Sequence, residues 1–352
     1  MELTKPLKEN LIDNIEIQKI NYLTKNTFVP ITFNSSDFKN YSFNTFSVFE
    51  SINNIFYLVF ANNISIRIYN IIDNKKIGEI NNAHDKLIKH LKYYLDFINK
   101  RDLIMSLSFY DNNIKIWDLN RLECLYNFKK EGGNFSITSC LIIENNQYYI
   151  AMGYFYYNSE KHFINVYDLK NNEIKKIKDS DDKIYYIDSY FDKKYLKNYI
   201  ITGSEDLVKS FDYEENKLYH IYSNNTIFHN CIIINDKEKI IKLLESGQKY
   251  LNIFNFHTGE FLKEIKFIEC INCFCVWKNH YLITGYMNHR TENCDKELKI
   301  VDLNEDTIIK SVSGHNGQIT CIKNIFIPKF GECIISQGMA FDRINFWIIK
   351  EK

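Results

Sequence analysis

The sequence is poor in the residues that interrupt or join structural elements. Its 352 residues include only 3 Pro and 12 Gly, and neither residue clusters into a stretch that would act as a linker. The chain is also longer than a single hydrophobic core usually serves. A repeated architecture, in which each unit packs against its neighbours, explains such a chain better than two unrelated domains do. We therefore expect one domain that spans residues 1–352.

An excess of charge of either sign is also missing. The chain carries 44 Lys and Arg against 44 Asp and Glu, which leaves no electrostatic footprint for nucleic acid or an anionic membrane. No apolar run is long enough to span a bilayer, and the N-terminus lacks the apolar segment of a signal peptide. The 9 Cys are odd in number and follow no small-domain spacing, which fits a reducing compartment. These features predict a cytoplasmic protein, with the nucleus as the alternative, and neither nucleic-acid binding nor membrane insertion.

One short stretch recurs seven times along the chain. Residues 114–118 read Ile-Lys-Ile-Trp-Asp and follow a tight turn, a pattern typical of a β-strand in an antiparallel sheet. Related stretches lie at 66–70, 164–168, 208–212, 251–255, 298–302 and 344–347. Their fourth residues are 43 to 50 positions apart. Each copy follows another apolar strand, and most copies are followed by a turn and a further strand, so the repeat predicts a small sheet per copy.

This pattern resembles the WD40 repeat. The second copy carries the features of that family most completely, with His84 after a small residue, the turn residue Asp111, and Trp117 before an Asp. The resemblance covers essentially the whole chain, although most copies are degenerate. It implies an all-β fold, a seven-bladed WD40-like β-propeller whose third strands are the seven stretches above.

The ends of the chain bear on how such a ring would close. The last copy stops too early to include an outermost strand, whereas about forty residues precede the first copy. Within them, residues 14–20 alternate apolar and polar side chains, which is typical of an edge strand. We expect the segment of about residues 10–22 to complete the last blade and so close the ring by an N-terminal strand.

The family resemblance also assigns a structural role to several polar side chains. In WD40 repeats a His, the turn Asp and the Trp join a Ser or Thr in a buried hydrogen-bond network. The residues that match this network are His84, Asp111, Trp117, Asp206, His315, Asp342 and Trp347. Because buried polar groups are normally hydrogen-bonded, we interpret the His and Asp residues as structural and expect no catalytic residues.

One cluster of Cys and His has the residue types of a metal site. It consists of Cys270, Cys273 and Cys275, with Cys294, His280 and His289 nearby. Zinc needs four converging ligands, but on a regular strand only Cys273 and Cys275 share a face, with Cys270 on the other. Core thiols are the better interpretation, and we expect no metal. Phosphate-binding glycine loops and the common hydrolase motifs are absent from the sequence, so we expect no cofactor either.

Two connections are longer than the repeat requires, at 153–162 and 286–296. In propellers of the WD40 family such connections lie on the top face, around the mouth of the channel, where partners dock. Tyr, Met, His and Arg are also residue types that anchor interfaces. The candidate partner-binding residues are Tyr110, Tyr154, Tyr156, Tyr157, His162, Glu205, Met287, His289 and Arg290. The alternative is that Tyr154 and Tyr156 extend their strand while the second connection is merely solvated.

The sequence therefore predicts a non-catalytic scaffold that binds a protein or peptide partner, mainly through the top face. One alternative is a substrate receptor of a ubiquitin ligase. Family members that dock on such ligases carry an Arg two residues after the Asp of Trp-Asp, where this chain has Asn120. Another alternative is a propeller-fold hydrolase, which would need carboxylates or metal ligands that converge at the channel mouth.

Overall fold

The structure is a computed structural model, and it describes most of the repeated part of the chain. The described residues are 8–9, 15–20, 46–73, 75–108, 113–129, 136–144, 146–154, 163–171, 174–178, 184–204, 207–222, 230–235, 241–246, 249–287, 296–315, 317–338 and 344–351. All regular elements in these ranges are β-strands, and no helix occurs among them. Within the same ranges, accordingly, no helix is long and apolar enough to cross a membrane.

The strands form seven sheets, which we number 1 to 7 along the chain. Two short strands, β1 (Lys8–Glu9) and β2 (Ile15–Ile20), precede them. Sheet 1 contains β3 (Phe46–Glu50), β4 (Phe56–Asn62), β5 (Ser65–Asn70) and β6 (Lys75–Ile80). Sheet 2 contains β7 (Ile88–Asp96), β8 (Arg101–Ser108), β9 (Asn113–Asp118) and β10 (Glu123–Lys129). Sheet 3 contains β11 (Ser136–Glu144), β12 (Gln147–Tyr154), β13 (Phe163–Asp168) and β14 (Ile174–Lys178).

The remaining sheets follow the same plan. Sheet 4 contains β15 (Tyr186–Asp192), β16 (Lys197–Gly203), β17 (Val208–Asp212) and β18 (Lys217–Tyr222). Sheet 5 contains β19 (Asn230–Asn235), β20 (Ile241–Ser246), β21 (Tyr250–Asn255) and β22 (Phe261–Lys266). Sheet 6 contains β23 (Cys270–Trp277), β24 (Tyr281–Met287), β25 (Glu297–Asp302) and β26 (Thr307–Ser313). Sheet 7 contains β27 (Ile319–Ile327), β28 (Gly331–Gly338) and β29 (Ile344–Glu351).

Consecutive strands pair antiparallel within every sheet, and the two N-terminal strands pair with the last two sheets. Strand β2 runs antiparallel to β29, with Ile15 opposite Glu351 and Ile20 opposite Phe346, so that sheet 7 also has four strands. Strand β1 adds to the outer edge of sheet 6 as a short parallel pairing with β26. The N-terminal residues thus cover backbone edges that would otherwise be open for pairing with another chain.

The seven repeated stretches lie on the third strands of the seven sheets, and the structure explains the fifth residue of the stretch. In sheet 2 the Oδ1 atom of Asp118 accepts hydrogen bonds from the backbone N–H groups of Asn120, at 2.9 Å, and Arg121, at 3.2 Å. The same turn, closed by a side-chain oxygen, follows Asn70, Asp168, Asp212, Asn255 and Asp302. Asp or Asn recurs at this position because its short side chain satisfies backbone donors in the turn to the fourth strand.

The turns after the third strands share a backbone feature as well. Leu122 and Asn216 have φ values of 56°, Asp306 has 54° and Gly259 has 71°. A register shift follows in the pairing of the third and fourth strands of sheets 2, 4, 5 and 6. A turn that ends in a left-handed residue beside a bulge is a common way to join antiparallel strands, and it explains how these short connections reverse the chain.

The apolar core is divided into seven clusters, and each cluster lies between two neighbouring sheets. Six of them join consecutive sheets from 1–2 to 6–7. The seventh joins the last sheet to the first, where Phe46 and Leu58 pack with Cys333 and Phe346. The Lys329 ammonium adds a polar contact between the same two sheets, 3.3 Å from the carbonyl oxygen of Ile72. Seven antiparallel sheets in this continuous succession are consistent with a propeller-like fold.

The turn that Asp118 closes provides a direct test of why the repeat contains Asp. We expect Asp118→Ala to lower the free energy of unfolding by about 1–2 kcal/mol, because two backbone donors of the turn lose their side-chain acceptor. Asp118→Asn keeps the acceptor, as Asn255 does in sheet 5, and should lose less than half as much. Denaturant unfolding of the three proteins measures both effects, and equal losses for Ala and Asn would contradict this account of the turn.

Candidate functional site

The His of the second repeat is part of a buried hydrogen-bond network. His84 lies on the turn before strand β7, and its Nε2 atom is 2.8 Å from the hydroxyl oxygen of Ser106 on β8. The indole N–H of Trp117, on β9, donates to the same oxygen at 2.8 Å. All three side chains are buried, with His84 only 1% exposed. One hydroxyl group therefore links a turn and two strands of sheet 2.

The same arrangement recurs in sheet 7. The Nε2 atom of His315 is 2.6 Å from the hydroxyl oxygen of Ser336, and the indole N–H of Trp347 donates to that oxygen at 2.8 Å. The side-chain amide of Asn345 lies 3.1 Å from Nδ1 of His315 and donates to the carbonyl oxygen of Gly314 at 3.1 Å. Sheets 2 and 7, which are the two neighbours of sheet 1, thus contain equivalent networks.

The sequence did not single out the two Ser residues. Each lies 11 residues before the Trp that donates to it, and this common spacing is the signal that would have found Ser106 and Ser336. Asp111, Asp206 and Asp342, the predicted turn residues of the network, lie outside the described residues. The described members of the network are buried and bonded to one another, an arrangement that holds elements together rather than presenting a base to a substrate.

The predicted partner-binding residues lie almost entirely outside the described residues. This holds for Tyr110, Tyr156, Tyr157, His162, Glu205, His289 and Arg290. Tyr154 is the last residue of β12, where its backbone pairs with Ser136, and Met287 is the last residue of β24, where its backbone pairs with Cys270. Both therefore mark the point at which a second strand ends and the connection to the third strand begins.

The structure corrects the prediction of which face of strand β23 each of its three Cys residues occupies. A regular strand would place Cys270 on the face opposite Cys273 and Cys275. The register of β23 against β24 shifts between Ile271 and Cys273. The shift brings Cys270, Cys273 and Cys275 opposite every second residue of β24, so the register assigns all three to one face. Even so, no group of three or more His, Cys, Asp or Glu in the described part of the chain could hold a metal ion.

The first strands of neighbouring sheets contact one another, so these strands form the centre of the assembly. In each sheet, the third residue of the repeated stretch pairs with a residue of the second strand, and that residue pairs in turn with a residue of the first strand. The seven first-strand residues identified in this way lie at an equivalent level of their sheets. We call this set the central layer, and it consists of Ser47, Lys92, Cys140, Asp188, Ile232, Cys275 and Lys323. Three of its seven members carry a charge, and all three are partly exposed: the side chains of Lys92 and Asp188 retain 28% and 26% of their accessible surface.

Two of these charges form an ion pair across the centre. The Lys92 ammonium of sheet 2 bonds to the Asp188 carboxylate of sheet 4, so the pair spans sheet 3. The Tyr186 hydroxyl donates to the other oxygen of Asp188 at 3.1 Å, and the backbone N–H of Ser189 also donates to this carboxylate. Burial opposes both charges, but their mutual attraction prevails: it raises the pKa of Lys92 and lowers the pKa of Asp188.

His90 precedes Lys92 by two residues and therefore lies on the same face of β7. Burial, and to a smaller extent the nearby cations of Lys92 and Lys323, lowers the pKa of His90 to about 4, although the Asp188 carboxylate opposes this shift. His90 is therefore neutral at pH 7. None of His90, Lys92, Asp188 and Lys323 was singled out from the sequence, because they lie on strands of three different sheets and no local motif connects them.

Comparison with known proteins adds no assignment: no protein-family model matches the chain, and no curated protein matches its sequence.

The His84 network should contribute measurably to stability. We expect His84→Ala to lower the free energy of unfolding by about 1–3 kcal/mol, because the substitution leaves buried polar groups in sheet 2 without a partner. His280→Ala is the matched control, since its Nδ1 atom contacts only the local carbonyl oxygen of Lys278 in an exposed turn. Thermal unfolding compares the two variants, and a melting temperature of His84→Ala equal to that of the control would refute the role of the network.

The partly buried His90 should also make stability depend on pH. Its pKa is about 4 in the folded chain and about 6.5 in an unfolded chain, so between these values the unfolded state binds a proton that the folded state does not. Stability should therefore fall by about 1–3 kcal/mol as the pH decreases from 6.5 to 4. His90→Gln should reduce this dependence. Parallel pH profiles of unfolding for both proteins would contradict the assignment to His90.

Proposed function

We propose that the chain is a closed, seven-bladed β-propeller of the WD40 type and a non-catalytic scaffold for a protein or peptide partner. In this proposal the N-terminal strand β2 completes the last blade. Its pairing with β29, and the apolar cluster between sheets 7 and 1, support a closed ring. A cytoplasmic or nuclear location belongs to the same proposal.

The observation that carries the proposal is the pair of His-Ser-Trp networks. In sheets 2 and 7 they join the residue types that the WD40 resemblance assigns to structure, and they do so with nearly the same distances. The described His residues most suggestive of acid–base chemistry are thereby engaged in holding strands together. A rigid frame of this kind suits binding, because residues on its connections are held in place before a partner arrives.

The connections between the second and third strands are the favoured binding region. They lie at the strand ends opposite to the turns between first and second strands, because neighbouring strands are antiparallel. The longest of them follow Tyr154 and Met287, and their sequences contain the Tyr, His and Arg residues that commonly anchor interfaces. The alternative of a ubiquitin-ligase receptor has less support, because Asn120 occupies the position at which such receptors carry Arg.

Affinity capture with two surface variants tests this proposal. The first variant combines Tyr156→Ala, Tyr157→Ala, His289→Ala and Arg290→Ala. The matched control replaces four exposed apolar residues at the opposite strand ends, in the turns between first and second strands: Phe97, Ile98, Tyr195 and Leu196, all by Ala. Both variants must first show the melting temperature of the wild-type protein.

We expect mass spectrometry to identify a partner that the wild type and the control retain and the first variant loses, by at least about tenfold, which corresponds to the loss of a single anchoring contact. Loss in the control alone would move the binding surface to the opposite end of the sheets. Turnover of a hydrolase substrate by the purified wild type would overturn the non-catalytic role.

A further inference from the structure

Two equivalent turns, at residues 97–100 of sheet 2 and 193–196 of sheet 4, place large apolar side chains in solvent. These side chains are Phe97, Ile98, Tyr195 and Leu196. Phe97 and Leu196, at 74% and 70%, are the most exposed large apolar side chains in the part of the chain that the structure describes. Neighbouring exposed apolar residues, unlike single ones, commonly mark an interaction surface. We call residues 97–100 and 193–196 the inner-turn surface.

Each of the two turns is held by a buried Asp that ends the first strand. The Asp96 carboxylate accepts a hydrogen bond from the backbone N–H of Asn99 at 3.0 Å. The Asp192 carboxylate accepts one from the backbone N–H of Lys194 at 2.7 Å. The fourth residue of each turn has a positive φ, 51° in sheet 2 and 52° in sheet 4. The two turns are therefore closed in a similar way, and a fixed backbone presents their exposed side chains before a partner binds.

Contacts between the sheets place the two turns at one end of the assembly. The side-chain amide of Asn99 donates to the side-chain oxygen of Asn146 at 2.6 Å, which joins the turn of sheet 2 to the equivalent turn of sheet 3. Tyr149, which follows the sheet 3 turn, packs against Tyr213 of sheet 4, with the ring centroids 5.8 Å apart. Tyr213 directly follows the third strand of sheet 4, at the same strand ends as the turn at 193–196.

The ion pair across the centre shows that the two turns are also close to each other. Lys92 and Asp188 are bonded, and each lies four residues before the Asp that begins its turn. Because a strand rises about 3.3 Å per residue, both turns begin roughly 13 Å along their strands from this shared contact. The two turns are therefore within reach of one extended segment of a partner.

The inner-turn surface carries only positive charge. Lys100, Lys193 and Lys194 are exposed, and its remaining residues include no Asp or Glu. The equivalent turns of sheets 6 and 7 each add one exposed lysine, Lys278 and Lys329. A partner of complementary chemistry therefore presents carboxylates beside apolar side chains.

The outer turns at the same end distinguish a protein segment from a membrane surface. They connect third to fourth strands, and they lie at this end because neighbouring strands are antiparallel. The exposed acidic residues in the described outer turns are Asp73, Glu214, Glu215, Glu260 and Glu305, and the exposed basic residues are Arg121 and Lys170. Because acids outnumber cations there, a flat anionic membrane would meet repulsion from the outer turns, whereas a narrow segment on the inner-turn surface alone would not.

We propose that the inner-turn surface binds an acidic protein segment that also carries apolar side chains. Carboxylates of the segment pair with the three lysines, and its apolar residues cover the four exposed apolar side chains. The Lys194 ammonium lies 4.9 Å from the centroid of the Tyr195 ring, so positive charge and apolar area adjoin on this surface. The surface lies at the strand ends opposite to the connections favoured above, and it is independent of the function proposed there. A chain with both surfaces joins two partners.

Selection of peptides on the full chain tests this proposal. The probe is a phage-displayed library of random peptides of about 12 residues, selected on the immobilised wild-type protein at pH 7. We expect the enriched peptides to combine Asp or Glu with Phe, Leu or Tyr. A fluorescein-labelled peptide of an enriched sequence should bind with a Kd below about 100 μM in fluorescence anisotropy. A selected pool with no excess of acidic residues over the starting library would contradict the proposal.

Variants of exposed residues locate the binding of the labelled peptide. The charge variant combines Lys100→Glu, Lys193→Glu and Lys194→Glu. Its matched control makes the same change of charge at exposed lysines of the opposite strand ends, Lys86→Glu, Lys129→Glu and Lys296→Glu. All variants must first show the melting temperature of the wild type. We expect the charge variant to bind at least about tenfold more weakly than the wild type, and the control to bind equally well. Ile98→Ser combined with Leu196→Ser should also weaken binding, because apolar contact is lost.

Equal affinity of the charge variant and its control would overturn the proposal, because the three lysines would then take no part in recognition. Sedimentation with vesicles of phosphatidylcholine and phosphatidylserine, in a ratio of about 4:1, tests the membrane alternative. If the wild type sediments with these vesicles and the charge variant does not, a lipid surface occupies the inner turns and the proposal is wrong. The variant of Tyr156, Tyr157, His289 and Arg290 should retain the labelled peptide, so failure of either proposed surface leaves the other unaffected.

Discussion

The burial of apolar side chains between neighbouring sheets is the interaction on which the rest of this structure depends. Each sheet has only four main strands, and its two faces pack against two different neighbours through separate clusters. A single sheet of this size would leave both faces in water, so no repeat is stable by itself. The cluster of Phe46, Leu58, Cys333 and Phe346 is decisive, because it gives the first and the last sheets the same kind of contact as all the others.

The polar groups that recur in this apolar frame satisfy backbone or side-chain partners. Asp or Asn at the end of the third strand closes a turn, and the Ser hydroxyls of sheets 2 and 7 bring a His and a Trp together. The two Trp residues also pack in the clusters between sheets, so the same side chain serves apolar packing and a hydrogen bond. The described clusters between sheets 3 and 4, 4 and 5, and 5 and 6 contain none of the network residues, so packing between sheets does not require the network.

Unlike the apolar clusters between the sheets, the centre of the assembly contains charged side chains. Lys92 and Asp188 bond across sheet 3, while His90 and Lys323 remain without described partners. An ion pair in the interior is weak support for stability, because desolvation offsets much of the attraction between the charges.

The sequence by itself determined the repeated unit. Residues 114–118 and their six relatives mark the third strand of every sheet, because alternation and turn residues are local properties of a strand. It also indicated the pairing tendency of residues 14–20, and β2 indeed runs beside β29. Only the tertiary structure decided that Ser106 and Ser336 complete the networks, that a bulge brings Cys270 to the face of Cys273, and that Lys92 meets Asp188 across 96 residues. The Ser and Cys outcomes depend on the register between strands of one sheet, and the contact of Lys92 with Asp188 depends on how distant repeats are brought together. Local periodicity contains no information about either alignment.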